Sequence, residues 1–168
     1  MILRSVKAIV NGFEKRLIYE ENFVIAMRAG HPFANDPTIE RYCEMQHLVV
    51  SESGDPHGFV DEQLAGQGRT RRIALTVPNF MFALAVIAET DLVLALPRRF
   101  VAMHASRFGV RVLDAPLRLP DFRLNAVMPK VAMLDMGLAW LFDRIGDIEA
   151  AARQPQRMGQ GLSAIGSA

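Results

Sequence analysis

Along the 168-residue chain, short apolar runs alternate with segments whose apolar residues recur at helical spacing. Residues 15–28, KRLIYEENFVIAMR, end in a strand-like run over 23–27. AGHPFANDP then breaks the pattern with Gly30, Pro32 and Pro37. TIERYCEMQ predicts a short helix with Ile39, Tyr42, Cys43 and Met45 near one side, and residues 48–50 form a buried-strand pattern. Asp55 followed by Pro56 predicts an N-cap and a first helical residue. Val60 and Leu64 share one face of that helix, and Gly66 or Gly68 can close it. RRIALTV is the next strand, and Asn79 predicts a cap for FMFALAVIAET. That helix is so apolar that it must be buried or lie at an interface. LVLAL reads as a third central strand, a helix follows around 98–107, and VRVLDAP and FRLNAVM supply further strands. In LDMGLAWLFDRIGDIEAA, Leu138, Leu141, Phe142, Ile145 and Ile148 keep helical spacing. After Arg153 the chain is rich in Gly, Ser and Gln and is expected to fray or stay disordered.

Strands alternating with helices predict an α/β fold, with a largely parallel sheet and helices packed on its faces. In such sheets ligands collect beyond the carboxyl ends of the strands, where the next helix begins. Two polar turns occupy that position, SESGDPHG after one strand and Val77-Pro78-Asn79 after the next. They are therefore a candidate ligand mouth.

Composition narrows the class. With 51% hydrophobic and 22% charged residues the chain can bury a substantial core, as one ordinary domain or two small lobes. A net charge of +1 provides no strong global field for nucleic acid or an anionic membrane. The clusters Arg69, Arg71, Arg72 and Arg98, Arg99 read as solvated element ends. The single cysteine, Cys43, cannot form an internal disulfide, which favours a reducing compartment and a small buried or half-buried role. No signal-peptide core or run of about 18 apolar residues is present, so the expectation is a cytoplasmic protein with no membrane partner.

Catalytic constellations are missing from the pattern. GDPHG lacks the spacing and the Lys-Ser/Thr pair of a phosphate loop, and neither GxGxxG nor GxSxG occurs. The four histidines, His31, His47, His57 and His104, have no metal-ligand spacing between neighbours. Nothing local marks Cys43 as an activated thiolate that could pair with His57. The acidic pairs Glu20-Glu21 and Asp61-Glu62 read as solvated positions. The expectation is no catalytic residue, no metal and no cofactor.

The motifs in order are HP at His31 and Pro32, HLVVS at 47–51, HGFVD at 57–61, GRTRRIALTVP ending at Pro78, TDL at 90–92 and LP at Leu96 and Pro97. Over about residues 12–145 this succession resembles the effector-binding domain of LysR-type transcriptional regulators. It is most similar to the branch that includes nodulation and aromatic-catabolism regulators. The resemblance implies two α/β lobes joined by a crossover hinge, as in type-2 periplasmic binding proteins, with a small effector bound between them. On that comparison residues 1–33 are a remnant of the first lobe with the first crossover, and 34–118 are the second lobe. Residues 119–150 carry the second crossover and a return helix, and 151–168 are a flexible tail. The family's winged helix-turn-helix and the opening βαβα of the first lobe are expected to be missing. Met128 and Pro129 also replace an aromatic-His pair common in the branch.

The resemblance implies that His57 faces the effector, where an imidazole favours a carboxylate or hydroxyl. The plainer alternative is a polar first-turn residue bonding nearby backbone. Asn79 matches a second effector-facing position that is often His in the branch, or it acts as a helix cap alone. Ser53, Gly54, Pro78 and Phe80 would line the same mouth, although Phe80 also suits core burial. The implied partners are a small organic effector of aromatic or carboxylate type, DNA through the missing helix-turn-helix, and further copies of the chain. A second reading is an oligomerising lobe that binds nothing, and a third is a small enzyme using His57 and Asp61.

Overall fold

The structure, a computed structural model, describes residues 12–152, with side chains described through residue 145. The chain divides into two compact units, and the larger holds Glu21–Phe122. Its sheet has five strands in the order β4-β3-β5-β2-β6. In chain order these are β2 (Phe23–Arg28), β3 (Gln46–Val50), β4 (Arg72–Val77), β5 (Leu92–Pro97) and β6 (Val110–Asp114). The helices are α1 (Ile39–Glu44), α2 (Phe59–Ala65), α3 (Phe80–Ala88) and α4 (Arg98–Phe108).

β3 runs parallel to β4 and β5, whereas β2 runs antiparallel to β5 and β6. The α/β sheet expected to be largely parallel is therefore mixed, with β2 the exception. Phe23 at the start of β2 faces Pro97 at the end of β5, and Val24 faces Asp114 at the end of β6. The chain thus comes into this unit at the carboxyl edge of the parallel strands, the edge that carries the two polar turns.

The unbroken apolar run of β2 follows from its position. Val24 and Ala26 pack with Ala83, Leu84 and Ile87 of α3 and Val101 of α4. Ile25 and Met27 point the other way, to Phe33, Tyr42, Val60 and Leu64. Strand side chains alternate between faces, so a strand covered on both sides must be apolar throughout. Each large side chain buried in this way contributes about 1.5–3 kcal/mol.

Local chemistry sets most helix ends. The Thr38 hydroxyl accepts the Arg41 N–H at 3.3 Å and starts α1. Asn79 starts α3, as the sequence predicts. α4 stops at Gly109, whose φ of +62° suits glycine. The expected Asp55-Pro56 helix start is not used. α2 begins at Phe59 after Gly58, because the Asp61 carboxylate accepts the Gly58 N–H at 2.9 Å. Val60 and Leu64 are buried on one face of α2, and Gly66 caps its end.

In the smaller unit β1 (Phe13–Glu21) pairs with β7 (Phe122–Pro129), followed by α5 (Met136–Ala152). Phe142 is buried, while Leu138 and Leu141, which belong to the same helically spaced apolar set, are 41% and 46% exposed. Arg16 donates to the Phe142 carbonyl at 3.3 Å and pairs with Asp143 at 2.8 Å. The side chain of Ile148 and the expected flexible tail beyond Arg153 lie outside the described residues. No helix among the described residues is long and apolar enough to cross a membrane.

Candidate ligand-binding site

Val50 and Val77 end adjacent parallel strands in register, and the Ser51 N–H donates to the Val77 carbonyl at 2.8 Å. The loop of residues 51–58 and the Pro78-Asn79 turn therefore leave the sheet side by side. In the loop, the Ser51 and Ser53 hydroxyls lie 3.3 Å apart. Gly54 follows with a φ of +77°, and its N–H donates to the Ser51 carbonyl at 3.4 Å. Asp55, instead of capping a helix, turns its Oδ1 to the His57 N–H at 2.9 Å. The His57 ring is exposed, with Nδ1 3.5 Å from the same carboxylate oxygen. His57 precedes the cap Gly58 and so stands outside the first helical turn, contrary to the sequence expectation.

Across from this loop, Asn79 Oδ1 accepts the Phe82 N–H at 2.9 Å. The N–H groups of Phe80 and Met81, first in the nine-residue helix α3, have no intrahelical acceptor. Together with the helix dipole they favour an anion or a hydrogen-bond acceptor there. Pro78 is exposed, and Phe80 is half-buried with its ring 5.3 Å from that of Phe100. Phe80 packs against the core, so it offers the turn at most one edge. Ser53, Gly54 and His57 thus share one loop, and Pro78, Asn79 and Phe80 start the neighbouring one.

Sequence reasoning missed a charged pair behind the loop. Arg71, expected to be solvated with Arg69 and Arg72, has a side chain only 3% exposed. Its Nε and Nη2 each reach one oxygen of Asp61 at 2.8 Å, so Asp61 is not a solvated position either. Burial alone would raise the Asp61 pKa, but the Arg71 hydrogen bonds and charge hold it below the ordinary value. Behind Arg71 the buried Tyr42 ring lies edge-on to His47, with ring centroids 4.5 Å apart. Burial, set against the nearby guanidinium, pushes the Tyr42 hydroxyl up to about 12. The spacing of Gly58 and Asp61, cap and third helical residue, was the available signal. Glu21 is the second correction: it is buried and accepts the Arg99 N–H of α4 at 3.2 Å. A carboxylate that caps a helix distant in sequence leaves no local mark.

The other residues singled out in the sequence serve the interior. His31 accepts the Phe33 N–H and meets the Asp91 carbonyl at 3.2 Å, and His47 meets the Tyr42 carbonyl at 2.8 Å. His104 lies against the Phe100 ring, and Cys43 is half-buried beside Tyr42.

A sequence profile of the LysR substrate binding domain matches residues 2–148. The HTH-type transcriptional activator NagR of a Ralstonia species is 31% identical over 131 residues, 77% of this chain and 44% of that protein. The HTH-type transcriptional activator NahR of Pseudomonas putida is 30% identical over 138 residues, 82% of this chain and 46% of that protein. The chain therefore spans about half the length of the curated relatives it matches. The crystal structure of the regulatory domain of MexT, a transcriptional activator in Pseudomonas aeruginosa, superposes with a TM-score of 0.71 at 28% identity. That match covers 82% of this chain and 68% of the MexT chain.

Proposed function

Because this chain belongs to the LysR substrate-binding domain family, we propose that it senses a small organic effector on behalf of a transcriptional regulator. The observation that carries the reading is the pair of polar turns leaving adjacent parallel strands at one edge of the sheet. One holds the Ser51 and Ser53 hydroxyls and the exposed His57, and the other begins α3 at Asn79. These groups suit a carboxylate or hydroxyl, and Phe80 with Pro78 supplies an apolar edge for an aromatic body. Ser53, Gly54, His57, Pro78, Asn79 and Phe80 form one wall of the effector site on this reading.

Residues 34–118 act as the second lobe of the effector domain, 1–33 and 119–150 as first-lobe and crossover segments, and 151–168 as a tail. The chain is a cytoplasmic receptor and not an enzyme. DNA is reached only through the helix-turn-helix domain of the full-length regulator, which these residues do not include, and the receptor works as a homo-oligomer. Calorimetric titration with benzoate tests the site: His57→Ala is expected to weaken binding about tenfold, equivalent to about 1.4 kcal/mol. Unchanged affinity in that variant would remove His57 from the site, and no binding by the parent would count against the aromatic-carboxylate class.

A further inference from the structure

We propose that Asp61 and Arg71 are positioning residues that set the geometry of the ligand loop 51–58, an inference that rests on the effector-site reading above. The loop is tied down at both ends. At the front, the Ser51 N–H bonds the Val77 carbonyl at the end of β4. At the rear, the Gly58 N–H bonds Asp61 Oδ2 at 2.9 Å. Asp61 is in turn gripped by Arg71, the residue just before β4, through two hydrogen bonds of 2.8 Å. One strand therefore anchors both ends of the loop.

The chemistry of the pair suits orientation more than bulk stability. A buried ion pair stabilises a fold little better than apolar residues of similar volume. A guanidinium fork, however, holds both carboxylate oxygens in one plane, which an ammonium cannot do. The Gly58 N–H belongs to the peptide that joins Gly58 to His57. Fixing that N–H fixes the peptide plane, and with it the direction in which His57 leaves the backbone. One residue further on, Phe59 is seated with its ring centroid 4.2 Å from that of Phe23. With 3% of its side chain exposed and both Asp61 oxygens engaged, Arg71 is not a cation offered to the effector.

Two variants and two readouts test the pair. Asp61→Leu/Arg71→Met replaces both charges by apolar groups, so the fold is retained while the tie to Gly58 is cut. Arg71→Lys keeps the charge and loses the fork. Backbone ¹⁵N relaxation on the ligand-free protein is expected to show the amides of Asp55, His57 and Gly58 gaining fast motion in both variants, with β2 and β5 unchanged. Parent-like relaxation of these three amides in Arg71→Lys would overturn the fork, and in a folded double variant it would overturn the whole proposal. Benzoate titration then reads the consequence, an expected loss of at least tenfold in both variants. A parent that binds no benzoate would count against the aromatic-carboxylate reading of the site while the relaxation data still decide the clamp. Loosened loops with parent-like benzoate affinity would overturn the positioning role.

Discussion

His47 is a buried imidazole held in its neutral form. Its Nε2 meets the Tyr42 carbonyl at 2.8 Å, so that nitrogen carries the hydrogen, and Nδ1 finds no partner among the described residues. Burial, reinforced by the Arg71 charge, lowers its pKa from 6.5 to about 4. Below pH 6.5 the unfolded chain takes up a proton that the folded chain refuses, so stability falls as pH drops from about 6.5 to about 4. The expected loss is about 3 kcal/mol, read from urea unfolding across that range, and His47→Gln should flatten it. Asp61 adds a second acid limb. Its pKa is below 3.8 in the fold, so its contribution is present above 3.8 and lost as pH falls through the lowered value. Gly54 is a further single-residue determinant. A Cβ there would meet no atom within 4 Å, but its φ of +77° disfavours any L side chain. Gly54→Ala should therefore lower stability by about 1–2 kcal/mol through backbone strain alone, measured as a shift in the urea midpoint.

At the scale of elements, two helices beside the candidate site are capped in different ways. Asn79 caps α3 from the adjacent chain position, and Asn79→Ala should cost about 1 kcal/mol, with Asn79→Ser restoring most of it. α4 has no cap of its own, since Pro97 precedes it. The Asn22 carbonyl accepts the Arg98 N–H at 2.9 Å, and the Glu21 carboxylate accepts the Arg99 N–H. Glu21→Ala should thus cost about 1–2 kcal/mol, and the amide exchange of the first turn of α4 should quicken more than that of its last. If the first turn of α4 exchanges as in the parent, the cap assignment is wrong.

At the scale of the molecule, both apolar clusters belong to the larger unit, one on each face of its sheet. In the smaller unit Phe142 is buried, whereas Val131, Leu134, Met136 and Trp140 are 74%, 83%, 87% and 63% exposed. Opening free energy follows the burial of apolar contacts, so the two units should differ. Native-state hydrogen exchange is expected to find the slowest amides in β2, β3 and β5, with α5 exchanging by lower-energy opening. Equal protection of α5 and β2 would contradict this division.

Much of the fold was legible in the chain because its causes are local. Alternating faces made β2 and β5 continuous apolar runs, Asn79 announced α3, and the Val60 and Leu64 spacing announced the buried face of α2. The succession of motifs from His31 to Pro97 pointed to the family that the profile match then established. Fold class, family and the two polar turns were therefore determined by sequence alone, since turn chemistry and periodicity act over a few residues. Tertiary structure decided which charges stay wet. Asp61, Arg71 and Glu21 look like surface residues until Gly58, Tyr42 and the first turn of α4 are brought beside them. It also moved the start of α2 from Pro56 to Phe59, because a carboxylate held by Arg71 outcompetes an Asp-Pro start. The Gly58–Asp61 spacing is local, but the Arg71–Asp61 pair and the Glu21 cap join residues 10 and 78 positions apart, a separation that no local pattern encodes.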